Sequence, residues 1–198
     1  SNTMYDHVIN TAQSQSDYAL YQKAMIAGIK NSSEKIKILN SIPRQYPKSS
    51  LLHEVNMEIA LTYLADEKFR DALPYLNNII SSADGGGLKP KAYLKSGLAY
   101  YNSNDNKNAL SSYQALIQKY PQSPESDEAL SIIKDIYVEE GKPDEYIELM
   151  RKNGINISVS EADSLTYTAG LLKYNNNDCG SAISGFDNYI TRFPNGSY

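Results

Sequence analysis

The stretch Leu94–Pro121, LKSGLAYYNSNDNKNALSSYQALIQKYP, decides the fold. Tyr93, Leu94, Leu98, Tyr100 and Tyr101 recur at helical spacing, and so do Leu110, Tyr113, Leu116 and Ile117. Between the two runs lies Asn102-Ser103-Asn104-Asp105-Asn106, a polar turn. Pro121 stops the second run, because it has no N–H to donate and disfavours helix at Tyr120. The stretch therefore predicts two amphipathic helices folded back on each other. Gly97 falls in the middle of the first. A helical Gly costs about 1 kcal/mol against Ala, so close approach of the second helix is the expected compensation.

The same small residues return along the chain. Gly97, Ala109 and Pro121 are spaced by twelve, as are Gly170, Ala182 and Pro194, and Ala60, Ala72 and Asp84. The position between paired helices recurs at Lys35, Ala72, Ala109, Tyr146 and Ala182, in steps of 37, 37, 37 and 36. A period of this size marks a stack of helical hairpins, because one hairpin cannot bury its own apolar face. Lys35 and Tyr146 break the small-residue rule, so the first and fourth units are expected to pack less regularly.

The order of aromatic or Leu, Gly, Tyr, Ala, aromatic and Pro resembles a tetratricopeptide repeat (TPR). Tyr93, Gly97, Tyr100, Ala109, Tyr113 and Pro121 match in the central unit, and Leu165, Gly170, Ala182, Phe186 and Pro194 in the last. The period is a few residues longer than the usual value of roughly 34. The resemblance implies an all-α, TPR-like right-handed superhelix (α-solenoid) of antiparallel helix pairs, with about 10–11 helices. It divides a single solenoid over 1–198 into a stub of a preceding repeat at 4–11 and repeats at 17–48, 49–85, 88–122, 123–158 and 160–198. The endings Tyr46-Pro47-Lys48-Ser49, Tyr120-Pro121-Gln122-Ser123 and Phe193-Pro194-Asn195-Gly196-Ser197 are similar to those of Gram-negative envelope TPR proteins. Those are the BamD- and YbgF-like proteins and the multi-TPR proteins of Bacteroides-type bacteria. That likeness implies a periplasmic or outer-membrane-associated place.

Local signals refine the helices. Ser16 is expected to cap a helix from Asp17 to Ile29, and Glu34 to Gln45 returns. Ser49 or Ser50 opens a helix to Leu64, and Phe69 to Ile80 returns, with Pro74 expected to kink it or delay its start. Ser81 to Gly87, with three successive glycines, reads as the most flexible linker. Ser123-Pro124-Glu125 is a strong start, and Gly141 closes that helix after Glu140. Pro143 opens a short helix to Lys152, and Ser160 with Asp163 resembles a capping box for the helix to Tyr174. A last helix runs from Cys179 to Arg192. Neither end shows a polar cap, so the chain reads as a fragment whose apolar ends could self-associate.

Composition excludes several functions. A net charge of −4 and a pI near 5.2 argue against nucleic acid, which needs a basic face. No run of about 18 apolar residues spans a membrane. His7 and His53 stand apart, and no metal-ligand spacing, phosphate-binding loop or nucleophile–base pair occurs. Neither a metal nor another cofactor, nor an enzyme activity, is expected. Cys179 reads as a buried structural thiol, and the seventeen tyrosines as half-buried packing residues.

The TPR resemblance implies a concave face lined by the first helix of each pair. Met57, Leu61 and Leu64 fall there, then Leu94, Leu98 and Tyr101; next Glu128, Ser131, Asp135 and Val138; and last Tyr167, Leu171 and Tyr174. The Lys, Asn and Arg set of chaperone-tail clamps is not reproduced. What remains is an apolar and aromatic trough with an acidic patch near Asp135, suited to an extended peptide or a partner helix. Alternatively, the same side chains bury against neighbouring helices. The expected function is a non-catalytic interaction scaffold for a protein or peptide; the alternative is a structural spacer with no groove ligand.

Overall fold

The computed structural model describes residues 16–198. The expected repeat stub at 4–11, and His7 within it, lie outside them. Among the described residues there are ten α-helices, one 3-10 turn and no strand. They are α1 (Ser16–Gly28), α2 (Ser32–Gln45), α3 (Leu52–Ala65), α4 (Phe69–Ser81), a 3-10 turn (Gly86–Leu88), α5 (Lys89–Asn102), α6 (Asn106–Lys119), α7 (Pro124–Glu140), α8 (Pro143–Lys152), α9 (Val159–Asn175) and α10 (Cys179–Arg192). The expected all-α architecture of paired helices is what the structure has. The chain forms two compact units, one ending at Leu116 and the other running from Ile117 to Tyr198.

In the first unit the core is a seam of two clusters. Leu20 and Ala24 of α1, Leu39 and Ile42 of α2, and Val55 and Ile59 of α3 form one. Met57 and Ala60 of α3, Ala72, Leu76 and Ile79 of α4, and Ala92 of α5 form the next. Helix α3 thus buries two faces, one in each cluster. A helix apolar on two sides needs a neighbour on both, which is why such hairpins stack. In the second unit Ala129, Ile133 and Ile136 of α7, Tyr146 and Met150 of α8, Leu165 and Ala169 of α9, and Ala182 and Tyr189 of α10 are buried.

The turn inside each pair carries the period in its backbone. Glu67 (φ 58°), Asn104 (58°), Gly141 (77°) and Asn177 (60°) are left-handed, at steps of 37, 37 and 36 residues. The next residue's N–H returns to a carbonyl five back: Lys68 to Tyr63 at 2.8 Å, Asp105 to Tyr100 at 2.9 Å, Lys142 to Tyr137 at 2.8 Å and Asp178 to Lys173 at 2.9 Å. This is a Schellman ending, which pairs carbonyls that a helix terminus would leave unpaired.

The structure corrects several local expectations. Ser16 is the first residue of α1 and is buried. Helix α2 is capped by Asn31, whose side chain accepts the Glu34 N–H at 3.0 Å. Pro74 does not delay α4, which still begins at Phe69; it is exposed, where water can take the Arg70 carbonyl it leaves unpaired. The cap of α9 is Ser158, not Ser160: its hydroxyl accepts the Glu161 N–H at 3.1 Å. Glu161 stands three after Ser158, the stronger form of the capping box. Cys179 is exposed rather than buried. It opens the first turn of α10, and Ala182 is the residue that packs inward. The Ser81 to Gly87 linker is tied down: the Ser82 hydroxyl donates to the Ile79 carbonyl at 2.8 Å, the Lys89 ammonium to the Ser82 carbonyl, and Asp84 meets His53.

Candidate functional site

Close approach is built where the small residues are. A Cβ on Gly97 of α5 would lie 2.6 Å from Cδ1 and Cζ of the buried Tyr113 of α6. A Cβ on Gly170 of α9 would lie 3.1 Å from Cδ1 of Phe186 of α10, in the same register. Lys35, the exception, is accommodated differently. Its stem crosses Gly28, where a Cβ would lie 2.6 Å from Lys35 Cδ, and its ammonium reaches Glu58 of α3 at 2.8 Å. A long cationic side chain thus lays its methylenes against the packing surface and keeps its head in a partly buried ion pair. Tyr146, the other exception, is simply buried, at 5% exposure.

These packing rules position the expected trough residues. In the first unit, Met57 lies within the second core cluster, with Leu61 and Leu64 half-buried against it. Leu94 is buried at 3% exposure, while Leu98 and Tyr101, one and two turns on, are half-buried. In the second unit, Glu128, Ser131 and Asp135 of α7 are exposed and Val138 is buried. Asp135 and Glu161 lie near enough to Tyr146 that, after burial itself, their charges push its phenol above the usual range. Leu171 is half-buried and Tyr174 is exposed. The structure therefore joins Met57, Leu61 and Leu64 in one cluster and aligns Leu94, Leu98 and Tyr101 along one helix.

Tyr167 has a distinct setting. Its ring packs 5.8 Å from Phe186 and 5.5 Å from Tyr189, and is stacked at 4.5 Å and 7° on Tyr198. Asp163, one turn back on α9 and only 5% exposed, accepts the Ser197 N–H at Oδ2, 2.8 Å away. That bond, with the Tyr189 hydroxyl beside it, holds the carboxyl below the usual range although burial pushes the other way. Sequence reasoning missed this arrangement by reading Asp163 as part of a cap. The signal was the aromatic-Pro ending and the Ser that follows it, at Phe193-Pro194 and Ser197. In the first unit the Ser49 hydroxyl likewise donates to Asp17 Oδ2 at 2.6 Å. Both endings return to an aspartate near the start of the pair's first helix.

A cleft of about 360 Å³ in the second unit is lined by Gly141, Thr166, Gly170, Lys173, Ser184 and Asn188 among others. It offers hydroxyls, an amide, the Glu140 carboxylate and one ammonium. His53 Nε2 lies 2.9 Å from Asp84 Oδ1, which holds that carboxyl below its usual range. Among the described residues no group of three His, Cys, Asp or Glu could hold a metal ion, and no helix is long and apolar enough to cross a membrane.

Residues 91–123 match the tetratricopeptide repeat family. No curated protein matches the chain significantly. Among solved structures, it is similar to a tetratricopeptide repeat protein from Parabacteroides merdae, at 16% identity and a TM-score of 0.60, covering 92% of this chain and 68% of that one. It is similar to the C-terminal part of a TPR repeat-containing protein from Cytophaga hutchinsonii, at 18% identity and a TM-score of 0.53, covering 88% and 65%. It is also similar to the TPR-like repeats of a putative kinesin light chain from Podospora anserina, at 12% identity and a TM-score of 0.54, covering 91% and 97%. The chain shares the fold of tetratricopeptide repeat proteins, and residues 91–123 match that repeat in their sequence as well.

Proposed function

We propose that the chain is a non-catalytic scaffold that holds a peptide or helix of another protein against the first helices of its repeats. The tetratricopeptide repeat fold supports this, since such repeats generally mediate protein–protein interaction. The carrying observation is that Leu61, Leu64, Leu98 and Tyr101 keep part of their apolar surface exposed on first helices. The aromatic-Pro-x-Ser endings support a place in the bacterial envelope. The test is a photo-crosslinking residue at Leu98, compared with one at exposed Asn77 on α4. A single adduct formed from Leu98 alone, and lost when Leu61 and Tyr101 are made serine with helicity unchanged, is the expected result. Equal labelling from both positions would count against it.

A structural spacer is the second reading. It is favoured by the burial of Met57 and Leu94 and by Tyr198 lying over Tyr167, which fill part of the expected trough from within. No adduct at Leu98, with the chain active only through its flanking segments, would select it.

A further inference from the structure

Gly196-Ser197-Tyr198 lies in a cradle made by α9 and α10. The Ser197 N–H donates to Asp163 Oδ2 at 2.8 Å, and the Tyr198 N–H donates to the Tyr189 hydroxyl at 3.0 Å. That hydroxyl donates in turn to the Tyr198 carbonyl at 3.3 Å. The Tyr198 ring stacks on Tyr167, and its hydroxyl lies 3.4 Å from Ser164 Oγ. At Gly196 a Cβ would lie 2.8 Å from Asp163 Oδ1 and would meet the Tyr189 hydroxyl.

These contacts divide by what they read. The three bonds to Ser197 and Tyr198 main-chain atoms are indifferent to sequence, as in recognition of an extended peptide. Two features select: the first position has room only for glycine, and the third must offer a ring to Tyr167. Asp163 is 5% exposed, and its Oδ1 faces Gly196 with the Tyr189 hydroxyl beside it.

We infer that Asp163, Tyr167 and Tyr189 form a binding site for an extended peptide of glycine–any–aromatic sequence, filled in cis by Gly196–Tyr198. The site lies wholly in the second unit, so it does not depend on Leu61, Leu98 or Tyr101 binding anything. A covalently attached segment competes at an effective concentration of about a millimolar or more, so the cis tripeptide masks the site against a free peptide.

The experiment uses the full chain carrying Tyr198→Ala, and the probe acetyl-Asn-Gly-Ser-Tyr-amide, titrated by amide NMR. The peptide should bind Y198A at least roughly tenfold more tightly than the unaltered chain. Its shifts should centre on Asp163, Tyr167 and Tyr189. Probes with Ala in place of the Gly or the Tyr should bind roughly tenfold more weakly. Equal affinity for the two chains, no binding to a folded Y198A, or shifts centred elsewhere would each overturn the proposal. If Y198A loses its helicity, the unaltered chain decides. Excess peptide should then lower the hydrogen-exchange protection of the Ser197 amide, and unchanged protection overturns the inference. Failure here leaves the Leu98 crosslink standing, and failure of that crosslink leaves this result standing.

Discussion

Glu67 is the residue at which the repeat's backbone and its chemistry disagree. Its φ of 58° is the conformation that Asn104, Gly141 and Asn177 adopt at the equivalent turns. Gly has no Cβ to crowd the following carbonyl, and the short Asn amide can hydrogen-bond locally; Glu has neither relief. Glu67→Asn should therefore stabilise the fold by about 0.5–1 kcal/mol, read as a higher denaturant midpoint. Gly97 poses the opposite case. Ala has the better helix propensity, but a Cβ there would enter the ring of Tyr113, itself fully buried. Gly97→Ala should destabilise by about 1–3 kcal/mol, as overpacking of a closed core does. Gly180→Ala in α10, with nothing within 4 Å of its added Cβ, should be neutral or slightly stabilising in the same assay. Cys179 belongs at this scale too. Exposed in the first turn of α10, it should react fully with a thiol reagent without denaturant; protection in the native state would contradict its placement.

Individual helices owe their limits to caps that differ from one to the next. Removing the Ser158 hydroxyl with alanine should cost about 1 kcal/mol, while Ser160→Ala should cost little, and thermal melts of the pair separate the two. The C-terminal segment is an element held by a charge. Asp163's carboxyl is lowered by the Ser197 N–H, so its stabilisation is complete above the ordinary carboxylate value of about 4. It is lost as the pH falls below that value, through the lower pKa of the folded state. Near-ultraviolet circular dichroism of the stacked Tyr167–Tyr198 pair should decline in that acid range, and in Asp163→Asn it should not titrate there.

For the molecule as a whole, burial separates residues that fold the chain from residues free to serve a partner. Leu94→Ala should destabilise by about 2–5 kcal/mol, and Leu98→Ala by clearly less, because only Leu94 is fully enclosed. Partner capture that depends on Leu98 with stability preserved is what a scaffold requires; a spacer would be insensitive to it. Acidic balance acts at this scale as well. With 23 acidic against 19 basic side chains, the long-range field favours cationic surfaces on a partner.

Much of the helical architecture was legible because its causes are local and periodic. Small residues at twelve-residue intervals recur every 36 or 37 residues, and the Ser123-Pro124 start and the Gly141 stop act within one or two turns. The sequence alone therefore determined that helices pair and stack, and which side chains occupy the crossings. It did not reveal that Lys35 would find Glu58, that Asp84 would reach His53, or that Asp163 would bind the main chain of Ser197, 34 residues on. Those partners are set by where the ends of separate helices meet in space. Charge and hydrogen bonding at such meeting points follow distances that no spacing along the chain encodes. Tertiary structure also decided which apolar residues stay partly exposed: Leu94 and Leu98 fit the same periodicity, and only packing buried the first and left the second half-covered.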